Sequence, residues 1–431
     1  MAAKKDFEIA IVGGGIAGIT LAIALLKHNI PVQVYEQGHA FSEIGAGVAF
    51  GPNAVRAMDY CDQSVRYAFD EVATRNQWAS KQTVYFDFLD GMAKTKPKVD
   101  RDILFTLENQ VGANSVHRAD FMEQMAKLVP KDLAHFRKRL EDVTEDAGTG
   151  RLRMKFTDGT TAEADAVIGC DGIKSRTRQL IVGEDHPSAK PHYSQKYAYR
   201  AVMPMQRAIE AVGGERAENA CLWMGEKAHV LTFPINHGKT FNLVAIVTDD
   251  KEWPDVTHLT LPAHKDEALK DYSHFGDSVL KNLEMVDDNV DRWALFDTCD
   301  HPVPTFYKGR LCISGDAAHA TTPHHGAGAG FCIEDSAVLT HLLTDERVTA
   351  PGDLESVFAA FNANRKERDQ WLVADSRRTG EIYEFNTEDP GKDLTKIEKE
   401  LRESFGKVWD YDLETALETA REDLGSRLGK K

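Results

Sequence analysis

The sequence predicts an α/β fold: a doubly wound nucleotide-binding domain with a mainly antiparallel β-sheet domain inserted into it, and helices towards the C-terminus. Three observations carry this. The apolar run Ile9–Val12 leads into Gly13-x-Gly15-x-x-Gly18 and then an apolar helical pattern. Residues 166–178 and 308–319 each repeat a buried strand followed by a glycine turn. Between them, residues 197–247 alternate in polarity and are rich in β-formers, as an antiparallel sheet requires. With 431 residues the chain has room for two or three domains, or for one domain with a large insertion.

The first unit is of Rossmann type. Ile9–Val12 reads as a buried parallel strand, Gly13 permits the tight turn, Gly15 lets backbone approach a pyrophosphate, and Gly18 lets helix and strand pack closely. Ile16 and Ala17 open the helix, whose N-terminus offers N–H groups and a positive dipole end. Residues 31–35 read as the second strand, ending at Glu36, which is placed to take a ribose 2′-hydroxyl and to repel a 2′-phosphate. Strand, glycines, helix, strand and acid arrive in order, so the ligand is an ADP-containing dinucleotide, FAD or NAD.

Further along, Gly45, Gly47, Gly51 and Pro52 form a loop where backbone passes close to a flat ligand, and Asn53 caps the helix that follows. Residues 82–90 and 102–107 contain strand-like runs, and residues 117–125 read as a loop entering a helix. Asp158-Gly159 marks a hairpin between residues 151–156 and 162–164. Asp171-Gly172 forms the turn of the second strand-turn-helix unit, and Gly315-Asp316 follows the strand at 311–314. Residues 333–343 are apolar and helical, and from 354 onward the pattern is helical with a break near Asp389-Pro390-Gly391. The expected division is a discontinuous nucleotide-binding domain at 1–75, 100–185 and 290–345, a substrate-binding β-sheet domain at 76–99 and 186–289, and a C-terminal helical segment at 346–431.

A net charge of −16, from 52 basic and 68 acidic residues, disfavours nucleic acid and anionic membrane as partners. The six cysteines have no C-x-x-C spacing and read as buried free thiols in a reducing compartment. The first strand begins by residue 8, which leaves no room for a signal peptide, and no apolar run approaches membrane-spanning length. The C-terminal Arg-Leu-Gly-Lys-Lys is not a peroxisomal signal, so the expectation is a soluble cytoplasmic protein, monomer or homodimer. No metal-ligand cluster and no nucleophile motif is read.

The turns at Gly13–Gly18, 169–172 and Gly315-Asp316 together suggest one extended ligand threaded past several strand ends. Asp316 is placed to accept a ligand hydroxyl; helix capping is the structural alternative. The set Gly13-x-Gly15-x-x-Gly18, Asp171-Gly172 and Gly315-Asp316-Ala317-Ala318-His319-x-x-x-Pro323 resembles the group A flavin-dependent aromatic hydroxylases, the class of 4-hydroxybenzoate and salicylate hydroxylases. Residues 323–330 and Glu334-Asp335 are most similar to the salicylate-hydroxylase branch, which includes fungal polyketide-modifying relatives.

The resemblance implies a 4-hydroxybenzoate hydroxylase-like fold with FAD as the tightly held nucleotide, NADH or NADPH binding transiently, and O2 as co-substrate. It places Arg118 near the flavin ribityl and pyrophosphate, Asp171 at FAD and NAD(P)H, and Asp316 on the ribityl chain. Gly326, Gly328 and Ala329 lie in a loop leading into a helix, whose N–H groups and dipole suit the negative charge of reduced flavin.

The candidate substrate residues are Arg200, His229, Leu231, Phe233, Pro323 and His324. Strand alternation puts Arg200 on the face of Ala198 and Val202, where it needs either a substrate anion or a structural acid partner. His229, Leu231 and Phe233 share a face that lines an aromatic pocket, and His324 either contacts substrate or serves structure. Arg200 and His324 are the catalytic candidates, Arg200 through depressing a phenol pKa. Some dearomatising polyketide hydroxylases of this branch pair a matching arginine with a tyrosine, and Phe233 takes that tyrosine's place. The expectation is therefore hydroxylation of a small phenolic or aromatic acid through a flavin C4a-hydroperoxide, most nearly salicylate to catechol with decarboxylation. The rivals are a dearomatising polyketide hydroxylase, a non-hydroxylating FAD oxidoreductase and a non-catalytic dinucleotide-binding protein.

Overall fold

The computed structural model describes residues 5–41, 47–94 and 103–429. The expected loop glycine Gly45 lies outside the described residues, as does the start of the strand-like run at 102. The first sheet has six strands in the order Tyr307–Lys308, Leu311–Ile313, Ala166–Gly169, Ile9–Val12, Val32–Glu36 and Ala134–Phe136. All neighbours are parallel except the Tyr307–Lys308 edge pair. Val12 pairs with Gly169, and Gly169 with Ile313. That register sets the three glycine turns side by side at the carboxyl edge of the sheet, where ligands bind in such folds.

Both faces of this sheet are covered, which is why its strands are apolar without alternation. The helix Ile16–Lys27 is buried from Ile16 to Leu25, and the helix Gly328–Leu343 is buried on nearly every side. A three-stranded antiparallel sheet, Leu140–Glu145, Leu152–Phe156 and Thr161–Ala164, carries the expected hairpin, with Gly159 at φ +82°. The helix expected after residue 53 starts two residues earlier, at Pro52. Pro52 takes its first position after Gly51, and Asn53 turns its side chain to Glu334 Oε1 at 2.8 Å instead of capping.

The second large sheet has eight strands: Thr260–His264, Asn289–Asp297, His192–Pro204, Thr240–Thr248, Ala228–Ile235, Cys221–Gly225, Val84–Asp90 and Ile103–Glu108. It is antiparallel apart from the pairing of Cys221–Gly225 with Val84–Asp90. It takes in Ile103–Glu108 and Asn289–Asp297, which the sequence reading assigns to the nucleotide-binding domain. Composition does not show which sheet either strand joins. One face packs Tyr197, Tyr199, Trp223, Leu243 and Ala245 under the helices Met205–Val212, Lys265–Asp271 and Asp277–Glu284. The opposite face looks towards the nucleotide-binding sheet. On it Arg200 stands opposite Val244, Val244 opposite Leu231, and Leu231 opposite Leu222, a single row across four strands. The helix Leu354–Tyr383 runs past both sheets, and Leu394–Trp409 and Leu413–Leu428 fold back beside it. Among the described residues no helix is long and apolar enough to cross a membrane.

Candidate active site

A cavity of about 1100 Å³ runs between the two large sheets. Its wall begins at Gly15, Ile16 and Ala17, passes Arg118, Gly172 and Asp316, reaches Gly326–Ala329, and ends at Arg200, Leu231, Phe233, Pro323 and His324. The structure thus brings most of the expected site residues to one space, although they come from positions as far apart as 15 and 329.

At the nucleotide end the glycines act as their spacing predicts. Gly13 has φ +106°, and a Cβ there would sit 2.2 Å from the Cys170 carbonyl oxygen. A Cβ on Gly18 would lie 1.9 Å from the Gly13 carbonyl oxygen, so the strand-to-helix turn closes only on glycine. Gly15 precedes the helix in extended conformation, at the end where first-turn N–H groups lack intrahelical partners. The Glu36 carboxylate accepts the N–H groups of Gly14 and Gly38, each at 2.6 Å, which fixes it at the strand end beside the turn. Gly47 donates its N–H to Asn242 Oδ1 at 3.1 Å and faces the Phe233 ring, so it ties the loop to the substrate sheet.

The two aspartates part company. Asp171 accepts from Ser175 Oγ at 2.6 Å, Thr177 Oγ1 at 2.5 Å and the N–H groups of Arg176 and Thr177 at 2.7 and 3.0 Å. Its carboxylate is spent on the start of the helix Arg176–Val182, and the cavity wall is formed by Cys170 and Gly172 instead. Asp316 reverses the expectation weighed against it. It opens the short helix Asp316–His319 without capping it, lines the cavity, and makes no side-chain hydrogen bond or ion pair among the described residues. Its field offsets part of the burial that lowers the Arg118 pKa, so the two charges face the same space.

The turn that presents Asp316 rests on residues the sequence reading passes over. Arg178 is fully buried and donates to the carbonyls of Ala317 at 2.9 Å and Ile173 at 2.6 Å. Asp335 Oδ2 accepts from Ser314 Oγ and Gly315 N–H, both at 3.1 Å, and from His319 Nε2 at 2.8 Å. Arg365 completes the cluster, bonding Asp335 at 2.8 Å, Glu334 at 2.7 Å and Asp369 at 2.6 Å, all with fully buried side chains. Burial disfavours a charged His319 ring, but Asp369 and Asp335 raise its pKa to about 9. His319, Asp335 and Asp369 stand close enough to gather round a cation. The Arg365 guanidinium already is that cation. The only sequence trace of this cluster is the Glu334-Asp335 pair and the i, i+4 spacing of Arg365 and Asp369.

At the far end, the turn Pro323–His325 and Gly326, at φ +62°, lead into Gly328–Leu343, so the first N–H groups of that helix open at Gly328 and Ala329 on the cavity wall. Arg200 is half-buried, its guanidinium 5.3 Å from the Trp293 ring centre, with no acidic side chain within 4 Å among the described residues. Its Nε has no hydrogen-bond partner. Burial and then the nearby Arg118 lower its pKa, which marks a space short of negative charge. Leu231 and Phe233 line the cavity as expected. His229 does not: it is fully buried behind the wall, with Nδ1 2.9 Å from Glu384 Oε1 and its ring centre 5.1 Å from that of His324. The expected shared face with Leu231 holds, but the His324 ring stands in front of it. His324 itself lines the cavity; burial, then His229 and Lys196, hold it well below the ordinary imidazole value, so it is neutral at pH 7. His325 turns the other way, to Asp375 and Ser404 at 2.7 Å each.

This arrangement suits a flavin dinucleotide. The glycine turn, with Glu36 held beside it, would suit the adenosine and pyrophosphate end. Arg118 and the unengaged Asp316 carboxylate meet a polyhydroxyl chain, and the helix end at Gly328 meets a flat ring that carries negative charge when reduced. The sequence profile of the FAD binding domain family matches residues 6–373. The FAD-dependent monooxygenase pigN of Monascus ruber is 45% identical over 433 residues, covering 99% of this chain and 98% of that protein. The 6-methylsalicylate 1-monooxygenase atA of Aspergillus terreus is 39% identical over 417 residues, covering 96% and 91%. Among solved structures, a salicylate hydroxylase substrate complex superposes with a TM-score of 0.83 at 31% identity, covering 96% of this chain and 98% of that one.

Proposed function

Because the chain belongs to the FAD binding domain family and is an FAD-dependent aromatic monooxygenase, we propose that its substrate is a salicylate-type o-hydroxybenzoate, converted to a catechol with loss of the carboxyl group. The observation that carries this reading is Arg200: a cavity-facing guanidinium with no acid partner among the described residues, lining the same cavity as a neutral imidazole. FAD, when bound and reduced by NADH or NADPH, would supply the chemistry that activates O2. Arg118, Asp316, Glu36, Gly15, Gly47 and the N–H groups at Gly328 and Ala329 would hold it.

The remaining work falls to the chain. Arg200 would pair with the substrate carboxylate or phenolate, and its charge lowers the phenol pKa. His324, neutral and facing the same space, has a free nitrogen lone pair to take the phenol proton. An ionised phenol is the more electron-rich nucleophile towards an electrophilic oxygen. Leu231, Phe233 and Pro323 hold the ring and exclude water, which strengthens each of these electrostatic effects. Asp171 has no role at the ligand in this reading; it shapes the turn.

A second reading has its own observation. The cavity continues past Arg200 between Val202, Pro262, Met285 and Val290, farther than a salicylate needs. A larger polyketide-type phenol, hydroxylated with loss of aromaticity, would use that extension. A panel of salicylates and acyl-bearing phenols, scored for stimulated NAD(P)H oxidation and for peroxide, separates the two. Coupled turnover of salicylate supports the first reading, and turnover confined to the larger phenols replaces it with the second.

A further inference from the structure

We propose that His324, His229, Glu384, Lys196 and Glu381 form a proton path that carries the phenol proton of the substrate from the cavity to solvent. The proposal rests on the reading that a phenol binds beside His324.

Two buried ionic clusters lie near the cavity, and they differ in kind. The Arg365 cluster closes on itself, cation against carboxylates. The Glu384 cluster is open at both ends. Glu384 follows the long helix Leu354–Tyr383 and is buried against the substrate sheet, where it accepts from Lys196 Nζ, Thr248 Oγ1 and His229 Nδ1. Lys196 Nζ also lies 3.0 Å from Glu381 Oε1, and the Glu381 side chain is 32% exposed. That is the outer end. At the inner end, His229 Nε2 and both nitrogens of His324 are buried without a hydrogen-bond partner among the described residues.

The geometry joins these ends. With Nδ1–H donated to a carboxylate, His229 keeps a lone pair on Nε2. Two imidazoles linked by one hydrogen bond have ring centres about 5 Å apart. His229 and His324 are 5.1 Å apart and need only a change of ring angle. Gly380 gives the His324 ring its seat, since a Cβ there would lie 2.5 Å from His324 Cδ2. Tyr383, with its ring centre 5.3 Å from that of His229, screens the pair, and Tyr272 Oη holds the His229 carbonyl at 3.0 Å.

The transfer balances. The phenol O–H bond breaks and a proton joins one nitrogen of His324, which gives its other N–H proton to His229 Nε2. His229 passes its Nδ1 proton to the Glu384 carboxylate. Lys196 takes that proton as it releases another to Glu381, and Glu381 gives it to water. Nothing is oxidised or reduced, and a proton returning by the same route resets both tautomers.

The test uses FAD-loaded enzyme and a nitro-substituted salicylate whose phenolate absorbs visible light. Rapid mixing follows phenolate formation, and a pH-indicator dye in weak buffer follows the proton. Wild type is expected to release one proton in step with phenolate formation. His229→Leu and Glu384→Gln are expected to slow release tenfold or more, and Glu381→Gln threefold or more, with FAD content and phenol affinity within twofold of wild type. Small added imidazoles are expected to restore part of the rate in His229→Leu. If Glu384→Gln fails to fold, the surface-end Glu381→Gln and His229→Leu decide the matter. Wild-type release with variants that match it overturns the path alone. A wild type that binds the phenol without releasing a proton overturns the substrate reading beneath it.

Discussion

Arg200 bears the substrate reading, and its surroundings set the outcome of removing it. The guanidinium meets Trp293 and the open cavity but no carboxylate among the described residues, so Arg200→Ala breaks no buried ion pair there. Folding and FAD content should change little. Coupled turnover should fall at least tenfold, with NAD(P)H oxidation diverted to peroxide, because an unanchored phenol is neither ionised nor held. Steady-state coupling ratios measure this, and unchanged coupling removes Arg200 from the site. The aspartates give a paired contrast at the same scale. Asp316→Ala loses no hydrogen bond within the protein, and should weaken FAD binding about ten- to a hundredfold with the melting temperature retained. Asp171→Ala strips four hydrogen bonds from a helix start and should cost stability before it costs FAD affinity. Titration of FAD into apoprotein beside thermal melts distinguishes the two. Sequence motifs treat both residues alike. Their difference lies in Ser175 and Thr177, which draw the Asp171 carboxylate away from the cavity.

Among the elements, those set by local geometry were readable and those set by distant partners were not. The Gly13–Gly18 turn was legible because the positive φ at Gly13 and the approach of Gly18 to the Gly13 carbonyl are local demands that glycine meets. The hairpin at Asp158-Gly159 and the face bearing Ala198 and Arg200 were legible for the same reason: their rules span four residues or fewer. The place of His229 was not, because alternation says which face a side chain takes but not that His324 stands in front of it. The long helix Leu354–Tyr383 was legible as a helix, but not that its Arg365 and Asp369 hold the turn at Gly315-Asp316 through Asp335. Arg365 faces three fully buried carboxylates, and Arg365→Met should cost about 3–5 kcal/mol. Urea unfolding measures that cost. A loss under about 1 kcal/mol would show that the cluster does not brace the helix against Gly315-Asp316.

For the whole molecule, the same cluster makes stability depend on pH. His319 has its folded pKa raised to about 9, above the ordinary value near 6.5, so its contribution is complete below about pH 6.5 and is lost as pH rises through about 9. Burial, with Asp335 adding to it and Arg365 opposing, raises Asp369 to about 7, which also favours the acid side. The unfolding free energy from urea titrations should therefore fall between pH 7 and 9.5 by on the order of 2 kcal/mol, and the midpoint with it. His319→Gln should be less stable at pH 7 and show a flatter dependence. A wild-type midpoint that rises over this range would contradict the charged state assigned to His319.

The two sheets and the C-terminal helices meet at one cavity, and the central claim is that oxygen is inserted into a salicylate there. Turnover of salicylate with NAD(P)H under ¹⁸O2, with mass spectrometry of the product, tests it most directly. The expected result is catechol carrying one labelled oxygen, with one CO2 released for each NAD(P)H oxidised. Recovery of unlabelled aromatic compound from salicylate, with all the label in peroxide, would contradict it.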